Sequence, residues 1–230
     1  MTVITISRQY GSGGDEIVNS ICHKTGYHQF GKFQISQAAF EAGLSSPEAI
    51  DYSEDNYKVK NFFERLFKRP VRVTQVHVWR EDMKGTRSVE TIDIDEKAAL
   101  NLVQRAIRAA YEAGNMVIVG RGGMMLLRGK EDVLHVRIES RLEDRIQRIK
   151  QQLKNQRKAY GENLELRREA QDIIAAHDHA SAAYIQEFYR ADWNDPLLYD
   201  LIINTSEIDL ETAADIIVER VNLLKAEAIH

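Results

Sequence analysis

A short strand, a glycine loop and a helix, in that order, constrain this chain more than anything else in it. Thr2 to Ser7, TVITIS, is apolar and β-branched, and it stops at a glycine-rich turn, the signature of a buried strand. Gly11-Ser12-Gly13-Gly14 follow. Behind them Ile17, Val18, Ile21 and Cys22 recur at helical spacing up to Gly26, a residue suited to stopping a helix. The same alternation continues. Met116–Val119 predicts a second buried strand, running into Gly120-Arg121-Gly122-Gly123, and Asp132–Ile138 a third. Leu142, Ile146, Ile149 and Leu153 stripe a helix, a second long helix is expected over about Asn163–Tyr189 after a break at Gly161, and Leu201–Asn204 predicts another strand. The last helix turns Leu210, Ala213, Ala214, Ile217, Val221 and Leu224 inward. Apolar strands alternating with amphipathic helices imply an α/β protein, a parallel sheet covered by helices. Ligands of such sheets sit at the carboxyl ends of the strands. Both glycine clusters directly follow strands and therefore belong at that edge.

Between the first two strands lies a different kind of sequence. After a short strand at Tyr27–Phe30, residues up to 70 read as helical, with a helix start at Ser46-Pro47-Glu48 and a buried face of Phe62, Phe63, Leu66 and Phe67. Val71–Trp79 and Ser88–Ile94 are β-like and flank a turn at Asp82–Gly85, so a hairpin is expected. Asp93 or Asp95 then caps a helix that ends at Gly114. The length of 230 residues fits one domain with room for a small second part.

Composition removes several classes of function. Hydrophobic residues at 43% and charged residues at 29% exclude wholesale disorder. With 31 basic against 35 acidic residues, net −4, the chain is a poor general nucleic-acid binder. The single cysteine, Cys22, excludes an internal disulfide and a CxxC zinc site, and its place on the apolar helix face marks it as a core residue. His177 and His179, two apart on a helix, do not form a metal pair. No signal peptide is expected in MTVITISRQYG, and no apolar run approaches ~18 residues. A cytoplasmic protein is the expectation.

Glycines in a strand-to-helix loop let the backbone curl with its N–H groups inward, and the helix start adds positive potential. A phosphate there gains ~0.3–1 kcal/mol from the helix dipole and ~1.5–3 kcal/mol from each charge-assisted hydrogen bond. The bland alternative is a tight turn with no ligand.

Taken together, ITISRQYGSGGDEI, VIVGRGG and WNDPLLYDLIINTS resemble the cytidylate kinase-like family of P-loop proteins, over essentially the whole chain and in the family's order. The resemblance implies a nucleoside-monophosphate-kinase architecture: a parallel sheet of five strands, a monophosphate-binding insert over 31–94 and a helical lid over 145–192, all within one kinase-like domain, 1–230. It implies transfer of the γ-phosphoryl group of ATP to a nucleotide such as CMP, with Mg²⁺. The partner is then a nucleotide or another phosphate-bearing small molecule, with no membrane and no specific nucleic acid, and a homodimer is possible. The hairpin around Trp79 belongs to the acceptor-binding insert or to a dimer contact.

The loop departs from a complete P-loop, GxxxxGK[ST], whose Lys holds the β- and γ-phosphates and whose hydroxyl holds Mg²⁺. With the last loop glycine set on Gly13, Gly14 stands at the lysine position, and Asp15 and Glu16 follow where the hydroxyl is wanted. Many relatives also lack the lysine but carry a basic residue where this chain has Asp15. At ~5 Å and an effective dielectric of ~20, that carboxylate would oppose one unit of phosphate charge by roughly 3 kcal/mol. Pointing outward, Asp15 and Glu16 would simply suit the first turn of the helix.

Phosphoryl transfer needs converging cations. Arg8 precedes the loop, and Arg121 matches the relatives' acceptor-phosphate arginine, against a structural ion pair as the alternative. Arg145, Arg148, Lys150, Lys154, Arg157 and Lys158 form a basic run without an acid, in which Arg145 and Arg148 match basic family positions and the rest are expected to face solvent. Asp178 matches the lid aspartate. The lid arginine position is Ser181, with Arg190 as an out-of-register substitute. The candidate catalytic residues are thus Arg8, Arg121, Arg148 and Asp178, and the candidate phosphate- or nucleotide-binding residues are Gly11, Ser12, Gly13, Gly14, Asp15, Glu16, Arg145 and Thr205; no metal ligand is assigned. The expected function is a nucleotide-binding, kinase-like protein. The alternative is a catalytically weak or inactive P-loop protein acting as a nucleotide sensor or a regulatory or oligomeric partner.

Overall fold

The computed structural model describes residues 1–31, 74–81, 87–94, 96–157 and 163–227. Along these the chain forms β1 (Val3–Arg8), α1 (Gly14–Thr25), β2 (His28–Phe30), β3 (Thr74–Glu81), β4 (Arg87–Ile94), α2 (Glu96–Ala113), β5 (Met116–Val119), α3 (Gly123–Leu126), β6 (Val133–Glu139), α4 (Leu142–Arg157), α5 (Asn163–Tyr189), a 3₁₀ turn (Pro196–Leu198), β7 (Leu201–Asn204) and α6 (Leu210–Glu227). It divides into two units, Met1–Gln29 with Ala113–His230, and Phe30–Glu112.

The first unit is built on a five-stranded sheet in the order β2-β5-β1-β6-β7. β1 pairs in parallel with β5 on one side and β6 on the other, and β6 pairs in parallel with β7. β1 is therefore the middle strand, and the strands that follow it are distributed to both sides. That arrangement makes a topological switch point at the carboxyl end of β1, where open α/β sheets bind ligands.

Register sorts the residues of the sheet into two unlike faces. Ile4 lies opposite Val117 and Leu134, and Ile6 opposite Val119 and Val136. These side chains pack with Ile17, Val18 and Ile21 of α1 and Ala213, Ala214, Ile217 and Val221 of α6 into the main core. Cys22 is half-buried at its margin, and burial raises its thiol pKa.

The other face carries a buried polar row: Thr5, Ser7, His135 and Arg137. Thr5 pairs with His135 and Ser7 with Arg137. An ionised side chain taken out of water costs several kcal/mol unless its hydrogen bonds are replaced. Here they are. Arg137, 1% exposed, donates from Nε to Glu139, from NH1 to the Trp193 carbonyl at 2.7 Å and from NH2 to Asn194 Oδ1 at 2.9 Å. Its guanidinium carbon lies 4.2 Å from the centre of the Trp193 ring. Trp193 Nε1 donates to Ser7 Oγ at 2.8 Å. The segment WNDPLLYD thus folds over the polar row, and Met124, Ile185, Trp193, Leu198 and Tyr199 close a second, smaller core.

α4 and α5 pack through Ile146, Ile149, Leu153, Leu166, Ala170 and Ile174. Leu142 does not join them. It sits in the first turn of α4, 48% exposed, because the stripe turns inward only one helical turn later.

In the second unit β3 and β4 form an antiparallel ladder from Thr74 opposite Ile94 to Glu81 opposite Arg87, the expected hairpin, and α2 follows. The helical reading of 31–70, its start at Ser46–Glu48, its face of Phe62, Phe63, Leu66 and Phe67, the turn at Asp82–Gly85 and the break at Gly161 lie outside the described residues. Among the described residues no helix is long and apolar enough to cross a membrane.

Candidate functional site

The loop after β1 is shaped by two residues in the left-handed region, Gly11 at φ +77° and Gly13 at φ +83°, a conformation only glycine takes without strain. Ser12 N–H closes a turn onto the Gln9 carbonyl at 3.1 Å, and Gln9 N–H is tied to Ile138 of β6 at 3.0 Å. α1 starts at Gly14 without a side-chain cap. Its first bonded amide is that of Ile17, onto the Gly13 carbonyl at 3.1 Å. Among the described residues, the N–H groups of Gly13, Gly14, Asp15 and Glu16 find no acceptor. Beside them the Ser12 hydroxyl is buried with no hydrogen-bond partner.

The carbonyls of the same loop are satisfied from behind. Arg145 NH1 donates to the Tyr10 carbonyl at 3.3 Å, Arg148 NH1 to the Gly11 carbonyl at 3.2 Å, and Thr205 Oγ1 to the Ser12 carbonyl at 2.6 Å. Arg148 also donates to Ser140 Oγ at 3.1 Å and to the Thr205 carbonyl at 3.1 Å. Asp178 completes the frame. Its Oδ1 accepts from Tyr10 N–H at 2.9 Å and its Oδ2 from Arg145 at 2.5 Å. The Tyr10 ring stacks on His177 with centroids 4.0 Å apart. With its carbonyls held on one side, the loop presents four amides without acceptors at a helix start. That is the donor set of an anion site.

Charge around the loop is partly cancelled. Arg8 Nε donates to Asp15 Oδ1 at 3.0 Å. Asp15 and Glu16 are both exposed in the first turn of α1. The Mg²⁺ of a complete P-loop requires a hydroxyl at this turn; here the turn offers Asp15, whose carboxylate is on Arg8. Among the described residues no group of three or more His, Cys, Asp or Glu side chains is placed to hold a metal. The same turn carries a second carboxylate, Glu16, and no hydroxyl.

The second glycine cluster lies at the same edge of the sheet. Gly120 N–H donates to the Ile6 carbonyl at 2.9 Å, fixing the end of β5 against β1. Gly120, Arg121 and Gly122 all take positive φ, with Arg121 at +57°. A Cβ on Gly122 would stand 2.5 Å from the Tyr189 ring, so this turn is closed by the end of α5. Burial raises the pKa of the neighbouring Tyr184 phenol.

A family model described as the cytidylate kinase-like family matches residues 3–207. The chain belongs to the cytidylate kinase-like family. No curated protein sequence matches it. Among solved structures, an uncharacterized protein from Eubacterium ventriosum is similar over 96% of this chain and 99% of its own, at 15% identity and a TM-score of 0.60, a likeness of fold. Shikimate kinase from Bacteroides thetaiotaomicron aligns over 96% of this chain and 98% of its own at 14% identity and a TM-score of 0.48. The fold of this family member is the α/β type with a parallel sheet and a glycine loop after its middle strand.

The sequence-derived candidates divide accordingly. Arg8, Gly11 to Glu16, Arg145, Arg148, Asp178 and Thr205 meet at the loop; among them, Arg145, Arg148, Asp178 and Thr205 bond to its backbone. Arg121 occupies the adjacent strand end. Lys150 of the basic run is buried and Lys154 exposed. Arg190 ends α5 in the left-handed region and is exposed. Sequence reasoning missed Tyr10, His177 and Arg137. The pairing of Tyr10 with Asp178 and His177 spans 168 residues for its hydrogen bond, and no local pattern announces it.

Proposed function

We propose that this family member binds the phosphates of ATP or a related nucleotide at Gly13–Glu16 and transfers the γ-phosphoryl group to a nucleotide such as CMP only slowly. One observation carries the reading: the loop carbonyls of Tyr10, Gly11 and Ser12 are engaged by Arg145, Arg148 and Thr205, while the amides of Gly13 to Glu16 lack acceptors. Four amides and a helix dipole hold a phosphate, each charge-assisted bond contributing ~1.5–3 kcal/mol.

A specific observation favours binding over turnover. Arg145 and Arg148, the cations nearest the loop by family position, donate to its carbonyls. The loop has Gly14 for the lysine, and Ser181 stands at the lid arginine position. An arginine that supplies transition-state charge is worth ~10³–10⁵ in rate. A nucleotide sensor or regulatory partner fits this inventory better than a fast kinase does.

Calorimetry with ATP should show binding, and the amide resonances of Gly13 to Glu16 should be the ones that move on titration. A coupled assay with ATP and CMP should run far below the ~1–100 s⁻¹ usual for kinases. No binding at millimolar ATP would remove the phosphate site. Ordinary kinase rates would remove the slow-transfer reading and leave the site intact.

A further inference from the structure

In a complete P-loop the side chain directly after the last glycine supplies the cation for the phosphates. In this chain that position cannot carry a side chain without displacing another residue. A Cβ on Gly14 would stand 2.7 Å from Arg8 Cβ and 2.8 Å from Arg8 Cγ, closer than nonbonded carbons approach. The stem of Arg8 fills the first part of the path that a lysine at 14 would follow. Arg8 reaches this place because β1 register sets it opposite Ile138, on the face that packs against α1. From there its Nε donates to Asp15 across the first turn of the helix at 3.0 Å, with the side chain 16% exposed. The guanidinium is thereby tethered at the helix start, beside the amides without acceptors.

We propose that Arg8 is the phosphate-binding cation of this loop, supplied by the strand instead of the helix, and that glycine at 14 makes room for it. The assignment rests on the phosphate site proposed above. A guanidinium differs from an ammonium in offering a planar fork that matches two phosphate oxygens at once. Asp15 orients that fork through its bond to Nε and is a positioning residue, not a ligand.

The test exchanges the two positions. ATP affinity is measured by calorimetry, and the melting temperature without ligand, for Arg8→Ala, Arg8→Gln, Gly14→Lys and the double variant Arg8→Gly/Gly14→Lys, in which both Arg8 carbons that crowd position 14 are gone. Arg8→Gln keeps most of the stem and guards against a folding defect in Arg8→Ala. Both should bind ATP about tenfold more weakly or worse, the loss of one charge-assisted contact. Gly14→Lys alone should melt lower than the native protein, because the two side chains compete for one space. In the double variant the space is open, and affinity should return to within about threefold of native, a difference under 1 kcal/mol. Arg8→Gln that binds ATP like the native protein overturns the assignment, and so does a folded double variant as weak as Arg8→Ala. A native protein that does not bind ATP at all overturns the phosphate site as well, which separates the two failures.

Discussion

Arg121 holds φ +57° between Gly120 at +68° and Gly122 at +71°. The left-handed region costs an L-residue roughly 1–2 kcal/mol relative to glycine, and glycine occupies both neighbouring positions. An arginine retained there points to a use for its guanidinium, and we propose that this use is to bind the acceptor phosphate. Arg121→Gly should therefore raise the melting temperature by about 2–4 °C, the shift for ~1 kcal/mol in a chain of this size, while weakening CMP binding in calorimetry. A lower melting temperature would mean that the side chain holds structure instead. Gly13 illustrates the opposite case. Its φ is +83°, and a Cβ there would meet Leu210 Cδ2 at 2.5 Å. Any substitution at Gly13 disturbs the packing of α6 along with the loop, so loss of ligand in such a variant would not isolate the backbone cradle.

β6 shows how one strand can serve two environments. Leu134, Val136 and Ile138 enter the apolar core, and His135 and Arg137 enter the polar row. Arg137→Met keeps length and volume but leaves Asn194 Oδ1 and Glu139 without their donor and the Trp193 carbonyl with only the Tyr199 hydroxyl. Removing one member of a buried, bonded charge cluster costs about 3–5 kcal/mol, to be read as a lower urea midpoint. Arg137→Lys should recover little of it, since an ammonium cannot reach three directions with the fixed fork of a guanidinium. The strands themselves were legible in the sequence: VITIS, MVIV and LIIN are runs rich in β-branched residues, the first leading to the glycine loop and the others entered from Asn115 and Asp200, and the hairpin Thr74–Ile94 was visible from its two β-like arms. The glycine loop was legible for the same reason. Arg137 was not, because a charge inside an apolar strand reads as a break in the pattern until its partners, 56 and 57 residues away, are known. Nor were the roles of Arg145 and Arg148. A basic run on a helix looks like a solvated face, and only folding brings Tyr10 and Gly11 against it. Leu142 marks the reverse error, an apolar residue in register that tertiary packing leaves in water.

Across the whole molecule, acid should weaken the fold in two stages. Burial pushes His135 below its ordinary pKa, against the opposing pull of Asp200, and its Nδ1 lies 2.7 Å from Thr5 Oγ1. The unfolded chain takes up this proton near pH ~6.5, whereas the folded chain takes it up only at lower pH. The unfolded state then binds more protons, so stability is complete above about pH 6.5 and declines as pH falls toward the folded-state value. His135→Gln should flatten the urea midpoint between about pH 7.5 and 5.5; an unchanged slope would clear His135 of the effect. The second stage belongs to carboxylates held below their usual range: Glu143 by Arg167, Asp209 by the Thr212 hydroxyl and amide, and Glu211 by Lys24. Their contribution is present above about pH 4.5 and is lost below it as they protonate.

The loop near residue 11 is shaped by partners that the ribosome adds much later. Arg145 and Arg148 lie 135 and 137 residues beyond the carbonyls they hold, Asp178 lies 168 beyond Tyr10, and Thr205 lies 193 beyond Ser12. Closing contacts so distant carries a loop-entropy cost that only the assembled sheet offsets. During synthesis the glycine segment therefore emerges early but has no fixed shape until β7 has been made and docked. A growing chain should be unable to capture nucleotide until its last strand is in place, so that occupancy of the loop reports completion of the fold.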